Sequence, residues 1–273
     1  MRVSLLVLSL VLSGCTSQLS EQREGYLAEY TYQASSVRPR IKMVVIHYTA
    51  ENLPSSLMLL TGRDVSAHYL ISPQPPVKKK QPIVWQLVPE TLSASHAGVS
   101  SWRKAIHLND TSLGIELVNP GFSVVGTEHI WYSYPPEQIA ALAVLLHDLV
   151  RRYGIAPENI VGHSDIAPLR KQDPGPLFPW RQLAQQGLGA WPDAARVNYW
   201  LQGRQPSATV PVKILLQKLA SYGYGVTLSM DAAQQQKVIA AFQMHFRPSD
   251  YRGLPDAETS AIAEALLEKC GGL

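Results

Sequence analysis

Between Ile160 and Trp180 the chain carries four prolines, from Pro168 to Pro179, and no hydrophobic period. Proline fixes φ and removes a backbone donor, so the stretch reads as an ordered loop rather than as helix or strand. Only its opening residues, Ile160-Val161-Gly162, form a short apolar run, which reads as a strand leading into His163. The loop then displays one imidazole (His163), one ammonium (Lys171) and two carboxylates (Asp165 and Asp173). A backbone this stiff holds polar heads in place at low entropic cost.

A second stretch far upstream, Lys42 to Ala50, reads as a buried β-branched strand that ends on His47. Two histidines and one carboxylate at strand ends and loops can hold a zinc ion with its fourth position open, the arrangement of a catalytic site. A closed structural site needs more thiolates than Cys15 and Cys270 supply. The residues alone leave alternatives open. A strand-end histidine serves equally as a hydrogen-bonded structural group, and Asp165, two residues after His163, competes with Asp173 as third ligand. Glu116, in the apolar strand Leu113 to Leu117, either pairs with a structural cation or works at a site.

Elsewhere helix and strand patterns alternate. Pro54 to Leu60 reads as a short helix closed by Gly62, while Ser66 to Ile71, Ile83 to Val88 and Gly114 to Val118 read as strands. The clearest helix is Glu137 to Tyr153. Its apolar residues, Ile139, Leu142, Leu146 and Leu149 among them, follow the 3.6 period between Pro136 and Gly154. The alternation predicts an α/β fold with a mixed central sheet flanked by helices. Composition shifts near Trp191-Pro192. Beyond it, Val212 to Tyr222, Asp231 to Phe246 and Ala257 to Cys270 predict a C-terminal three-helix module, with Asp231 and Asp256 where N-caps belong.

At the N-terminus Arg2 precedes an apolar run, Val3 to Leu12, too short to span a bilayer but suited to a signal-peptide core. Leu12-Ser13-Gly14-Cys15 resembles a bacterial lipobox, which implies cleavage before Cys15 and its acylation. Thr16 in place of an aspartate after that cysteine favours the outer membrane, by analogy with sorted lipoproteins. Cys270 is then the remaining thiol, so no intrachain disulfide is expected. A charge of +3 without a basic stripe argues against nucleic acid as a partner.

Val-Val-Ile-His-Tyr-Thr around His47, Gly-Ile-Glu-Leu-Val-Asn around Glu116, Val-Gly-His-Ser-Asp around His163, and Lys171-Gln172-Asp173-Pro174-Gly175-Pro176 form an ordered set. Together they resemble the zinc-dependent N-acetylmuramoyl-L-alanine amidases. The resemblance implies zinc at the edge of the sheet, held by His47, His163 and Asp173. It implies hydrolysis of the amide between the lactyl group of N-acetylmuramic acid, or its anhydro form, and L-alanine, with peptidoglycan and muropeptides as partners. Glu116 would take a proton from the attacking water and pass it to the amine, and Lys171 would stabilise the oxyanion. His68, His96 and Asn109 fall in similar segments and are expected at the substrate groove, although Ser95 stands where family members often carry Trp.

Leu215 to Leu219 with Tyr222-Gly223-Tyr224, and later Ala241-Phe242-Gln243, resemble peptidoglycan-binding modules; a docking bundle without ligand is the plainer reading. The layout implied is a signal peptide at 1–14, a lipid-anchored tether at 15–40, a zinc amidase domain at 41–192 and a helical peptidoglycan-binding-like domain at 193–273. The protein would sit at the periplasmic face of the bacterial outer membrane, tied to the lipid bilayer through Cys15. The alternative is a non-catalytic peptidoglycan-recognition lipoprotein of the same fold.

Overall fold

The computed structural model describes residues 19–271, so the expected signal peptide and Cys15 lie outside the described residues. The chain divides into two compact units, Met1–Pro39 and Arg40–Leu273. In the first, β1 (Ser20–Arg23) pairs antiparallel with β2 (Tyr26–Glu29), so the stretch expected as an irregular tether contains a hairpin. Its turn, Glu24-Gly25, places Gly25 at φ +80, where a Cβ would be strained.

The second unit is built on a sheet. In chain order come β3 (Met43–Tyr48), α1 (Leu53–Leu60) and β4 (Tyr69–Ile71), then a small hairpin of β5 (Val77–Lys78) and β6 (Gln81–Pro82). Next are β7 (Trp85–Gln86), a hairpin of β8 (Ser101–Trp102) and β9 (Ala105–Ile106), and β10 (Ser112–Leu117). A third hairpin, β11 (Phe122–Val125) with β12 (Glu128–Trp131), precedes α2 (Pro136–Tyr153), β13 (Ile160–Gly162), α3 (His163–Ile166) and α4 (Trp180–Ala184). The chain ends in α5 (Ala194–Leu201), α6 (Val212–Tyr222), α7 (Ala232–Phe246) and α8 (Ala257–Cys270). The sheet order is β13-β3-β10-β4-β7, with the first four strands parallel and β7 antiparallel at the edge. This is the mixed central sheet flanked by helices that the alternation predicts.

Local differences have local causes. The strand expected from Ile83 to Val88 shrinks to β7, because as an edge it meets β4 only at Tyr69↔Gln86 and Leu70↔Trp85. The proline-rich stretch is not loop throughout. Asp165 Oδ2 accepts from the Gly162 N–H at 2.7 Å and closes one helical turn, α3, directly after β13. Helix α5 starts on Asp193, whose side chain accepts from the N–H groups of Ala195 and Arg196. None of its residues is fully buried; Val197 and Leu201 lie half-buried against the core, a one-turn contact too short to set a period in the sequence.

Both faces of the sheet are covered, as strands with continuous apolar runs require. Along β3, Val44 and Ile46 pack into the core that includes Leu142, Leu146 and Leu149 of α2. Met43 and Val45 join the core that includes Leu215 of α6, Phe242 of α7 and Ile262 of α8. The C-terminal helices thus belong to the same compact unit as the sheet. A polar junction reinforces them. Tyr224 Oη donates to Asp165 Oδ1 at 2.5 Å, and His245 Nδ1 of α7 lies 2.8 Å from Asp165 Oδ2, all three residues being buried. The His245 ring stacks at 3.9 Å on Trp180 and at 3.9 Å on Phe246.

Asp165→Ala would leave Tyr224 and His245 without their acceptor in a dry junction, at a cost of about 3 kcal/mol or more. Chemical denaturation followed by tryptophan fluorescence should show one transition, moved to lower denaturant. A separate, earlier melting of the C-terminal helices would show that they fold as an independent module.

Candidate metal and catalytic site

Parallel register sets the site. Glu116 of β10 lies opposite His47 of β3, and Gly162 of β13 lies opposite Ile46, so His163 follows in the same row. These are the carboxyl ends of parallel strands, where open α/β sheets place their ligands. The proline-rich loop then returns Asp173 to the row. Its carbonyl accepts from the Ser164 N–H at 2.8 Å, and Tyr134 Oη donates to the Pro174 carbonyl at 2.8 Å. A Cβ on Gly162 would come within 2.5 Å of Pro174 Cδ, so only glycine lets that segment lie against the strand end. His47 Nδ1 stands 3.0 Å from His163 Nδ1, and both stand 3.1 Å from Asp173 Oδ2. The three residues are buried at the base of a cavity of about 420 Å³.

Hydrogen-bond partners decide which ring nitrogens carry protons. Ser112 Oγ donates to the Leu108 carbonyl at 2.5 Å, so it accepts from His96 Nε2 at 3.1 Å. His96 Nδ1 is then an acceptor, and His47 Nε2, 3.0 Å away, donates to it. His163 Nε2 faces the Ala97 carbonyl at 3.2 Å, which can only accept. Each metal-facing imidazole therefore turns a bare Nδ1 lone pair toward the other and toward the Asp173 carboxylate. Burial, with His163 adding to it, lowers the pKa of His47 to about 4 and keeps it neutral.

Three lone pairs converging at this distance repel unless a cation sits among them. Ligand atoms around a tetrahedral zinc at about 2.0–2.1 Å stand about 3.3–3.4 Å apart, a few tenths wider than the observed triangle. The residues fit a divalent ion held by two nitrogens and one oxygen.

Glu116 completes the row. Its Oε2 is sealed from solvent and has no hydrogen-bond partner among the described residues. Burial, then the Asp173 charge, raise its pKa to about 8, against the opposing pull of Lys171. A carboxyl so placed exchanges a proton near neutral pH. Lys171 lines the same cavity.

Of the three residues expected at a substrate groove, only His96 reaches the cavity, and both its ring nitrogens are committed to His47 and Ser112. His68 is fully buried: its Nδ1 accepts from the Gly114 N–H at 3.1 Å, and its Nε2 meets the Leu92 carbonyl at 3.2 Å. Asn109 Oδ1 accepts from the N–H groups of His96 and Ala97. Neither lines the cavity; both hold backbone around the His96 ring. Asp165 is not a ligand either, because Tyr224, His245 and the Gly162 N–H take up its oxygens.

Tyr134, Arg170 and Gly114, which the sequence reading did not single out, complete the surroundings. Arg170 Nη2 donates to the carbonyls of Ala97 and Val99 at 2.6 and 2.9 Å, bracing the loop behind His163, and no local pattern announces it. Gly114 did carry a signal. A Cβ there would stand 2.4 Å from the His96 ring, and a lone glycine inside a strand pattern is the usual mark of such a close approach.

Comparison with known proteins agrees with this geometry. Residues 37–176 match the family described as N-acetylmuramoyl-L-alanine amidase. The N-acetylmuramoyl-L-alanine amidase AmiD of Escherichia coli K12 is 53% identical over 268 residues, spanning 98% of this chain and 97% of that protein. A solved structure of E. coli AmiD with the substrate anhydro-N-acetylmuramic acid-L-Ala-D-γ-Glu-L-Lys aligns with a TM-score of 0.90 at 55% identity, over 93% of this chain and 98% of that one. AmpDh3 from Pseudomonas aeruginosa in complex with anhydromuramic pentapeptide aligns with a TM-score of 0.80 at 39% identity, over 92% and 99%.

Gly114→Ala should push the His96 ring off His47 and weaken divalent-metal affinity about 10- to 100-fold, the usual cost of losing the partner that orients a ligand. Competition with a chromogenic chelator measures this. An unchanged affinity would show that His96 does not orient His47.

Proposed function

This chain belongs to the N-acetylmuramoyl-L-alanine amidase family, and from that premise we propose how its own residues carry the reaction. It hydrolyses the amide that joins the lactyl group of N-acetylmuramic acid, the anhydro form included, to L-alanine in muropeptides. His47, His163 and Asp173 would hold a zinc ion, which when bound would supply Lewis acidity and an activated water near neutral pH. The observation that supports this reading is the pair of imidazoles whose outer N–H groups donate to their partners and whose inner nitrogens are bare.

An amide resists hydrolysis because its carbonyl is resonance-stabilised and its amine leaves poorly. The Glu116 carboxylate, which lines the cavity, takes the proton of the attacking water and returns it to the L-alanine nitrogen as the C–N bond breaks. Lys171, on the rim of the same cavity, offers its N–H donors to the carbonyl oxygen as that oxygen becomes negative. The bound peptide is of the kind seen with the E. coli relative, in which a γ-linked glutamate keeps a free α-carboxylate.

Two further parts of the reading concern location. Leu12-Ser13-Gly14-Cys15 followed by Thr16 supports export, acylation of Cys15 and retention at the periplasmic face of the outer membrane. Residues 41–192 would then act as the amidase domain and 193–273 as a wall-binding module, held beside the polymer they cut.

Glu116→Gln keeps the shape of the side chain and removes its proton acceptor. Release of peptide from anhydro-N-acetylmuramyl tripeptide, followed by mass spectrometry, should fall about 10²- to 10⁴-fold. Zinc measured by elemental analysis should stay near the wild-type content. A variant that cleaves at the wild-type rate removes Glu116 from the chemistry. Cys15→Ala should shift the enzyme from the outer-membrane fraction to the soluble periplasm and abolish palmitate labelling; retention in the membrane would refute the anchor.

A further inference from the structure

The catalytic cavity continues beyond the metal ligands. Arg170, Lys171 and Gln172 line it and also line a second groove of about 290 Å³. The β11–β12 hairpin forms the wall between them. Phe122 faces the catalytic cavity while His129 and Trp131 face the groove, and the Phe122 ring lies 4.0 Å from that of His129 and 4.9 Å from that of Trp131. The opposite wall comes from α7, through Lys237, Ala240 and Met244, together with Tyr251. Trp131 is held in place: a Cβ on Gly175 would come within 2.6 Å of its ring, and its Nε1 donates to Tyr251 Oη at 3.0 Å. The groove is therefore preformed, and the C-terminal helices build half of it.

Its charge is one-sided. Among the described residues the lining carries three cations and no carboxylate, beside the rings of Trp131 and Tyr251 and the apolar surface of Leu169 and Met244. Arg170 is spent on the Ala97 and Val99 carbonyls. Lys237 Nζ has a single hydrogen bond among the described residues, to the Leu169 carbonyl at 3.3 Å. An ammonium without a counter-ion above aromatic and aliphatic walls suits an anionic, partly aliphatic chain. A muramyl stem peptide with a γ-linked glutamate is such a chain. The groove lies past the Arg170–Gln172 rim, outside the cavity that surrounds the metal row.

Resting on the amidase reading above, we propose that this groove binds a carboxylate-bearing stem peptide on the neighbouring repeat of a peptidoglycan strand, while the catalytic cavity holds the bond being cut. The groove makes the enzyme prefer strands to isolated muropeptides.

The test compares two substrates, an anhydro-N-acetylmuramyl tripeptide and a two-repeat strand bearing two stems. Wild-type kcat/KM should be higher on the strand. Lys237→Glu, a change at an exposed position, should lower kcat/KM on the strand about five-fold and leave the tripeptide unaffected, which also reports an intact fold. Lys237→Gln should give a smaller loss in the same direction. Amidating the carboxylates of the second stem should lower the wild-type value similarly and make Lys237→Glu silent. Equal losses on both substrates, no loss at all, or an amidated strand cut as fast as the free one would overturn the proposal. Wild-type enzyme that cleaved neither substrate would instead overturn the amidase reading.

Discussion

The parallel pairing of β13, β3 and β10 places His163, His47 and Glu116 in one row at one end of the sheet. A one-residue slip in either pairing would turn one of those side chains to the opposite face, because side chains alternate along a strand. Apolar burial holds the register. Val44, Ile46, Leu113, Ile115 and Ile160 share the core on the α2 face, while Met43, Val45 and Val161 share the core on the other. A slip would therefore also carry an apolar set to the wrong side. The core specifies the geometry of the site without touching a substrate.

That row is unfavourable taken alone. Glu116 keeps a sealed oxygen with no partner among the described residues, and two imidazoles turn lone pairs toward a buried carboxylate. Such violations of local preference are expected where chemistry is done. They persist because surrounding groups are each satisfied in turn: His96 through Ser112 to the Leu108 carbonyl, His163 on the Ala97 carbonyl, Arg170 on the same loop, and Tyr134 on Pro174. None of these groups belongs to the candidate ligand set of His47, His163 and Asp173. They orient the residues that do.

The C-terminal helices serve the site from behind and from the side. Asp165, two residues past His163, is gripped by Tyr224 and by His245 of α7, so the turn that presents a metal ligand is buttressed by the far end of the chain. The same α7 supplies Lys237 and Met244 to the groove that adjoins the cavity. One packing arrangement thus links the position of a ligand to the shape of the surface a polymer would meet.

The sequence by itself determined what depends on near neighbours. The 3.6 period between Pro136 and Gly154 gave α2, the capping aspartates gave α7 and α8, and short motifs gave the types of group at the site. Only the tertiary structure decided how those groups are used. Asp165 and Asp173 both follow His163 within ten residues, and nothing in that spacing separates them; Asp165 is drawn off by His245, 80 residues away, which leaves Asp173 beside the two imidazoles of the candidate metal site. His96 is expected from the sequence at the groove, whereas its ring accepts a hydrogen bond from His47, 49 residues upstream. Proton placement on the two metal-facing imidazoles depends on strand register and on loops that return from distant parts of the chain. Such contacts are long-range, and local pattern, which records only period, caps and spacing, holds no trace of them.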